Sequence, residues 1–249
     1  MMTKNNNLQN IEPLMTGKHE YYAEFCPEGT LKLVEYALEA ASAGIPMIVL
    51  RTKDAIYCAA KKQTFESLEV PKNLNIVQIS EKVYLAISGF AADVDQIVEK
   101  VRDMAARKTY ELGFDVTADI LARSLADERQ ELIQRSGERP MAFTAIFFGF
   151  DDDIPLLYHT DTSAVFYSYY ALGIGENSMK MNKYLEKGYN MDLDHNRALF
   201  TVVKGLSESI GNEFSPGNIS VCYTKNNNEL QYLDVREIDT ILQRISEAD

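Results

Sequence analysis

Paired strand patterns, two helical patterns, more strands, more helices, then a closing hairpin and a last helix: this order along the 249-residue chain implies an α+β sandwich of four layers, two sheets with helices outside. Three observations carry the expectation. Short apolar runs sit between turn residues, the hydrophobic period changes from two to 3.6 near residue 93, and neither an internal repeat nor an interdomain linker interrupts the chain. One domain over residues 17–249 is therefore expected, behind a polar tail at residues 1–16 in which Asn5-Asn6-Asn7 and Pro13 favour turns.

Residues 25–44 open the folded part as a Pro/Gly turn and a helix. Leu31, Val34, Leu38 and Ala41 recur at i, i+3, i+7 and i+10, with Thr30 placed as N-cap and Gly44 at C′. Strands are expected at 46–50 and 55–59, around Thr52-Lys53-Asp54, and at 74–79 and 83–88, the second ended by Gly89. Val94, Ile97, Val98, Val101 and Ala105 mark a helix over 93–112; another follows Thr117, with Ile120, Leu121, Ser124 and Leu125 on one face, and fades near Ser136-Gly137. Further strands are expected at 142–148, 155–158 and 164–170, then helical stretches over 176–187 and from Ala198 to Ile210. Short strands at 219–223 and 230–233 flank Asn226-Asn227-Asn228. The last helix starts at Asp234, where Glu237 gives a capping-box spacing, and buries Ile238, Ile241, Leu242 and Ile245.

A hydrophobic content of 46% is that of a globular chain, and the formal charge of −12 argues against a nucleic-acid partner, since phosphate binding needs clustered Lys and Arg. Cys26, Cys58 and Cys222 are odd in number and widely spaced, which suits reduced thiols in a cytosolic or nuclear protein. Without a signal-like apolar core at the start, or an apolar run of about 18 residues, no membrane partner is expected.

Candidate chemistry is sparse. His19, His159 and His195 lack the companions of a zinc site, and His159 with Asp161 reads as a loop pair. Asp192-x-Asp194-x-Asn196 opens like a calcium loop but has Arg197 at the sixth position and Val203 at the twelfth, so helix capping is the better reading. Asp151-Asp152-Asp153 reads as a solvated turn, and Tyr167, Tyr169 and Tyr170 as strand packing. Gly173-x-Gly175 precedes a helix but lacks the third glycine and the βαβ setting of a dinucleotide loop. No metal or cofactor is expected.

Pro27-Glu28-Gly29 followed by Leu31 and Val34-Glu35-Tyr36-Ala37 resembles the segment that opens α-type proteasome subunits, with Cys26, Thr30 and Leu33 as departures. Lys61-Lys62, Ser88-Gly89, Ala92-Asp93, Ala126-Asp127, Arg139-Pro140, Gly173-Ile174-Gly175 and Leu185-Glu186-Lys187 extend the resemblance across nearly the whole chain. Arg139-Pro140-Met141 and Glu237-Ile238-Asp239 look most like the first of the seven eukaryotic α types. The resemblance implies the αββα fold of the N-terminal nucleophile hydrolases and a non-catalytic place in the outer ring of the 20S core. Its implied partners are neighbouring α subunits, β-ring subunits and regulatory particles, in ubiquitin-dependent degradation in cytoplasm and nucleus.

It also implies gate and ring-contact roles for Pro27, Glu28, Gly29 and Tyr36. The family's gate triplet Tyr-Asp-Arg falls on Lys18, His19 and Glu20, and the lysine that receives activator C-termini falls on or near Asn75, which cannot form that ion pair. The Asp-Pro-x-Gly turn is Asp161-Thr162-Ser163-Ala164. The alternatives are a free-standing hydrolase processed before Thr30 or Cys26, whose freed amine would serve as base, and a soluble interaction module of the same fold without ring partners. Thr30 leads into a helix, whereas the catalytic relatives' nucleophile leads a strand.

Overall fold

A computed structural model of the chain describes residues 25, 27, 29–62, 76–135, 138–211, 215–226 and 229–248. Helix α1 (Lys32–Ser42) is followed by strands β1 (Met47–Arg51), β2 (Ala55–Lys61), β3 (Ile76–Gln78) and β4 (Val83–Gly89). Helices α2 (Ala91–Leu112) and α3 (Ala118–Ile133) precede β5 (Phe143–Asp151), β6 (Ile154–Asp161), β7 (Tyr167–Ser168) and β8 (Ala171–Ile174). Then come α4 (Ser178–Gly188), α5 (His195–Ile210), a short 3₁₀ turn (Pro216–Asn218), β9 (Ile219–Lys225), β10 (Gln231–Tyr232) and α6 (Val235–Ala248).

The strands form two five-stranded sheets, β10-β9-β2-β1-β8 and β3-β4-β5-β6-β7, and every pairing is antiparallel. Because successive side chains point to opposite faces, both faces of each central strand must find apolar cover. On β1, Met47 and Val49 point between the sheets, while Ile48 and Leu50 meet α4, α5 and α6. On β5, Ile146 and Phe148 point inward, while Phe143, Ala145 and Phe147 pack on α2 and α3. The result is the expected four layers, with residues such as Phe147 and Phe148 fully buried.

Most local expectations hold with shifted ends. Asp194 caps α5, accepting from Arg197 N at 2.8 Å, as the helix-capping reading required. At α6, Glu237 N donates to Asp234 Oδ1 at 2.7 Å and Asp234 N to Glu237 Oε2 at 2.8 Å, a reciprocal capping box. Asp152 sits in the β5–β6 turn with φ of 51°. Cys58 and Cys222 are buried free thiols directly opposite one another on β2 and β9; burial pushes the Cys58 thiol well up.

Three expectations need correction. Thr30 is not the N-cap of α1: Leu31 holds that place, with φ −105° and ψ 94°. The strand expected at 164–170 does not exist as one piece. Ala164 turns at φ 63°, only Tyr167–Ser168 pairs with β6, and Ala171–Ile174 pairs with β1 in the other sheet, because the chain crosses between sheets here. His159 and Asp161 are strand residues of β6, not a loop pair. The 1–16 tail, the residues 18–20, and Cys26, Glu28 and Asn75 lie outside the described residues.

Candidate functional site

The chain turns at Pro27 and at Gly29, whose φ of +82° suits glycine, and enters α1 through Leu31, which accepts from Val34 N at 3.0 Å and Glu35 N at 3.1 Å. Val34, Ala37 and Ala41 form the buried face of α1, and Ala37 and Ala41 close on Ala142 beside β5. Small residues allow this close approach. The opposite face carries Glu35, Tyr36 and Glu39 into solvent; Tyr36 is 62% exposed and Phe25, before the turn, 73%.

The end of α1 is held by both sheets. Ser88 Oγ donates to Ile45 O at 2.8 Å from β4, and Glu176 N donates to Gly44 O at 2.8 Å from the β8–α4 link. Gly44 is required by space rather than by a left-handed cap, since a Cβ there would lie 2.4 Å from Gly89 N and from Ser88 Oγ. Gly175 answers it from the other side: a Cβ would meet Ile45 O at 2.2 Å, and its φ is +84°. Gly173 likewise abuts Met181, 2.7 Å from where its Cβ would be. Gly173-x-Gly175 is thus a packing element, in which Gly173 admits side chains and Gly175 admits neighbouring backbone, not a phosphate cradle.

Beneath α1 lies a cavity of about 240 Å³ bordered by Ser42, Thr144, His159, Asp161, Ser178 and Asn182. His159 Nε2 lies 3.0 Å from Thr144 Oγ1, and its Nδ1 has no hydrogen-bond partner among the described residues. Burial holds the imidazole below its ordinary pKa, against the pull of Asp161, so it is neutral near pH 7. Asp161 accepts instead from Ser163 N at 2.8 Å and Ser163 Oγ at 2.6 Å. Sequence reading missed Thr144, Ser178 and Asn182 as neighbours of His159; only Gly173 and Gly175, at and just after the end of β8, hinted that another element closes in there. His195 is remote from this cavity, at the start of α5, with Nδ1 3.2 Å from Tyr57 Oη.

Among the described residues no group of three or more His, Cys, Asp or Glu could hold a metal ion, and no helix is long and apolar enough to cross a membrane. The distinctive surface is therefore the opening turn and helix α1, laid over one end of the sandwich, with Pro27, Gly29 and Tyr36 exposed along it. A family model for proteasome subunits matches residues 41–224, most of this sandwich. The chain belongs to the proteasome subunit family. Its resemblances extend before that span and favour one class of member. A probable proteasome subunit alpha type-2 of Schizosaccharomyces pombe is 29% identical over 211 residues, 83% of this chain and 86% of the relative. A proteasome subunit alpha type-7-like protein of Macaca fascicularis is 28% identical over 225 residues, 89% of both chains. The proteasome subunit alpha of Saccharolobus solfataricus is 27% identical over 214 residues, 85% of this chain and 89% of the relative.

Proposed function

We propose that this proteasome-family chain is a non-catalytic α-type subunit of the outer ring of a 20S core particle, acting in ubiquitin-dependent protein degradation in cytoplasm and nucleus. The observation that carries the reading is α1: a turn at Pro27 and Gly29 leads into a helix docked across one end of the sandwich, with Thr30 ahead of that helix rather than at the head of a strand. The three α-named relatives support the same class.

In this role Pro27, Glu28, Gly29 and Tyr36 belong to the gate and ring contact, and the Tyr36 hydroxyl is offered to a neighbouring α subunit. β-ring subunits and regulatory particles are the further partners. Asn75 in place of an activator-binding lysine makes this subunit a poor half of an activator pocket. Arg139-Pro140-Met141 and Glu237-Ile238-Asp239 favour the first of the eukaryotic α types.

Substitution tests the non-catalytic role. In an assembled particle, Thr30→Ala and Cys26→Ala each leave peptidase turnover within about twofold of the parent, whereas loss of an N-terminal nucleophile removes about 10³-fold or more. A loss of that size in either variant sends the reading to a processed hydrolase.

A further inference from the structure

The crossing between sheets leaves two strand edges side by side. Tyr169 N donates to Leu157 O at 3.0 Å, which fixes the bonding phase of β7: residue 169 faces β6, so the main-chain groups of Ser168 point away from the sheet. Arg51 N donates to Tyr170 O at 2.9 Å, which fixes the phase of β8: residue 170 faces β1, so Ala171 points away. Gly173, two residues on, also points outward, but there the Asn182 amide takes both groups, accepting from Gly173 N at 2.7 Å and donating to Gly173 O at 3.0 Å. No hydrogen bond among the described residues takes the N–H or C=O of Ser168, or the outward pair of Ala171.

Sheet edges are normally blunted by Lys, Pro, a bulge or a covering element. Asn182 does this for Gly173 and stops short of Ala171. Ser168 and Ala171 instead line a groove of about 420 Å³, with Leu185 beneath and the Tyr170 ring stacked on Tyr189 at 5.8 Å as a wall. The rim carries one ionised side chain, Glu186, which has no ion-pair partner among the described residues. Arg51 lies over the Tyr170 ring at 4.9 Å, with Nη1 donating to Pro155 O at 2.6 Å, so that cation is engaged.

We propose that this groove is a docking site for an extended peptide segment of a partner protein: its main chain pairs with the open edges at Ser168 and Ala171, its apolar side chain rests on Leu185 and the tyrosines, and its basic residue meets Glu186. Main-chain pairing supplies affinity without sequence demand, and the alternating side chains supply preference. No residue of α1 lines this groove, which borders the cavity beneath α1 at Leu172 and Asn182.

A fluorescein-labelled Lys-Thr-Val-Lys-Val-Thr-Lys peptide is the probe, titrated by anisotropy against the full-length chain, with hydrogen exchange followed at the Ser168 and Ala171 amides. Saturable binding is expected, with both amides protected in the complex. A peptide N-methylated at alternate residues binds at least about tenfold more weakly, the equivalent of one to two hydrogen bonds. Glu186→Lys, an exposed change on α4, weakens the lysine peptide about fivefold or more and favours a glutamate counterpart. Equal binding of the methylated peptide, unchanged exchange at both amides, or no binding up to millimolar peptide overturns the proposal.

Discussion

Asp93 carries a concentrated load for one side chain. It sits almost wholly buried at the start of α2, where Arg139 donates Nη1 to Oδ2 at 2.7 Å and Nη2 to Oδ1 at 2.6 Å, and Ala142 N donates to Oδ2 at 2.8 Å. One carboxylate thus ties α2 to the entry of β5. The Arg139 bonds, outweighing burial, hold its pKa below the usual carboxylate value. A depressed folded pKa stabilises the fold above the unfolded value near 4 and loses that stabilisation as pH falls through the folded value. Asp93→Asn is therefore expected to cost about 2 kcal/mol at pH 7, discounted because Arg139 is half in solvent, and much less at pH 3. Urea unfolding at the two pH values checks this; an equal cost at both contradicts the ion-pair account. Ala92-Asp93 and Arg139-Pro140 were each visible as local motifs, but nothing in the chain announces that positions 46 apart share a carboxylate. Local bonds, such as Asp194 capping α5, were legible because both partners lie within three residues.

Helix α1 is seated by absent side chains as much as by present ones. Gly44, Gly89 and Gly175 bring three backbone segments together where any Cβ would collide with main chain or with Ser88 Oγ. Gly44→Ala is expected to destabilise the chain by about 2–3 kcal/mol, because backbone must shift to admit the methyl group. Ser88→Ala tests the same joint more gently, removing only the bond to Ile45 O, at a cost of about 1 kcal/mol. Both are read from chemical unfolding midpoints, and a neutral Gly44→Ala contradicts the seating described. The apolar stripe of α1 predicted its helix, while the reason for Gly44 was not legible, since a close approach and a left-handed cap leave the same residue behind. The run from Ala164 to Tyr170 misled for a related reason: aromatic residues suit either sheet, so composition does not mark a chain that leaves one sheet edge for the other.

The order of layers across the whole molecule was legible because each change of hydrophobic period marks a change of layer, and because strands buried on both faces read as unbroken apolar runs. The neighbours within each sheet were not, since β2 pairs with β9 across more than 150 residues of chain and no local pattern records that choice. At this scale the distinctive feature is α1 over one end of the sandwich with Tyr36 and the opening turn left in solvent, a surface that the α-ring reading assigns to neighbouring subunits. The native mass and chain composition of the assembly that co-purifies with this protein, with peptidase activity assayed on the same fraction, test that assignment most directly. The account predicts a very large particle holding other α-like and β-like chains, whose activity is lost to an inhibitor of catalytic threonines. A monomer or small homo-oligomer that cleaves peptides by itself would contradict it.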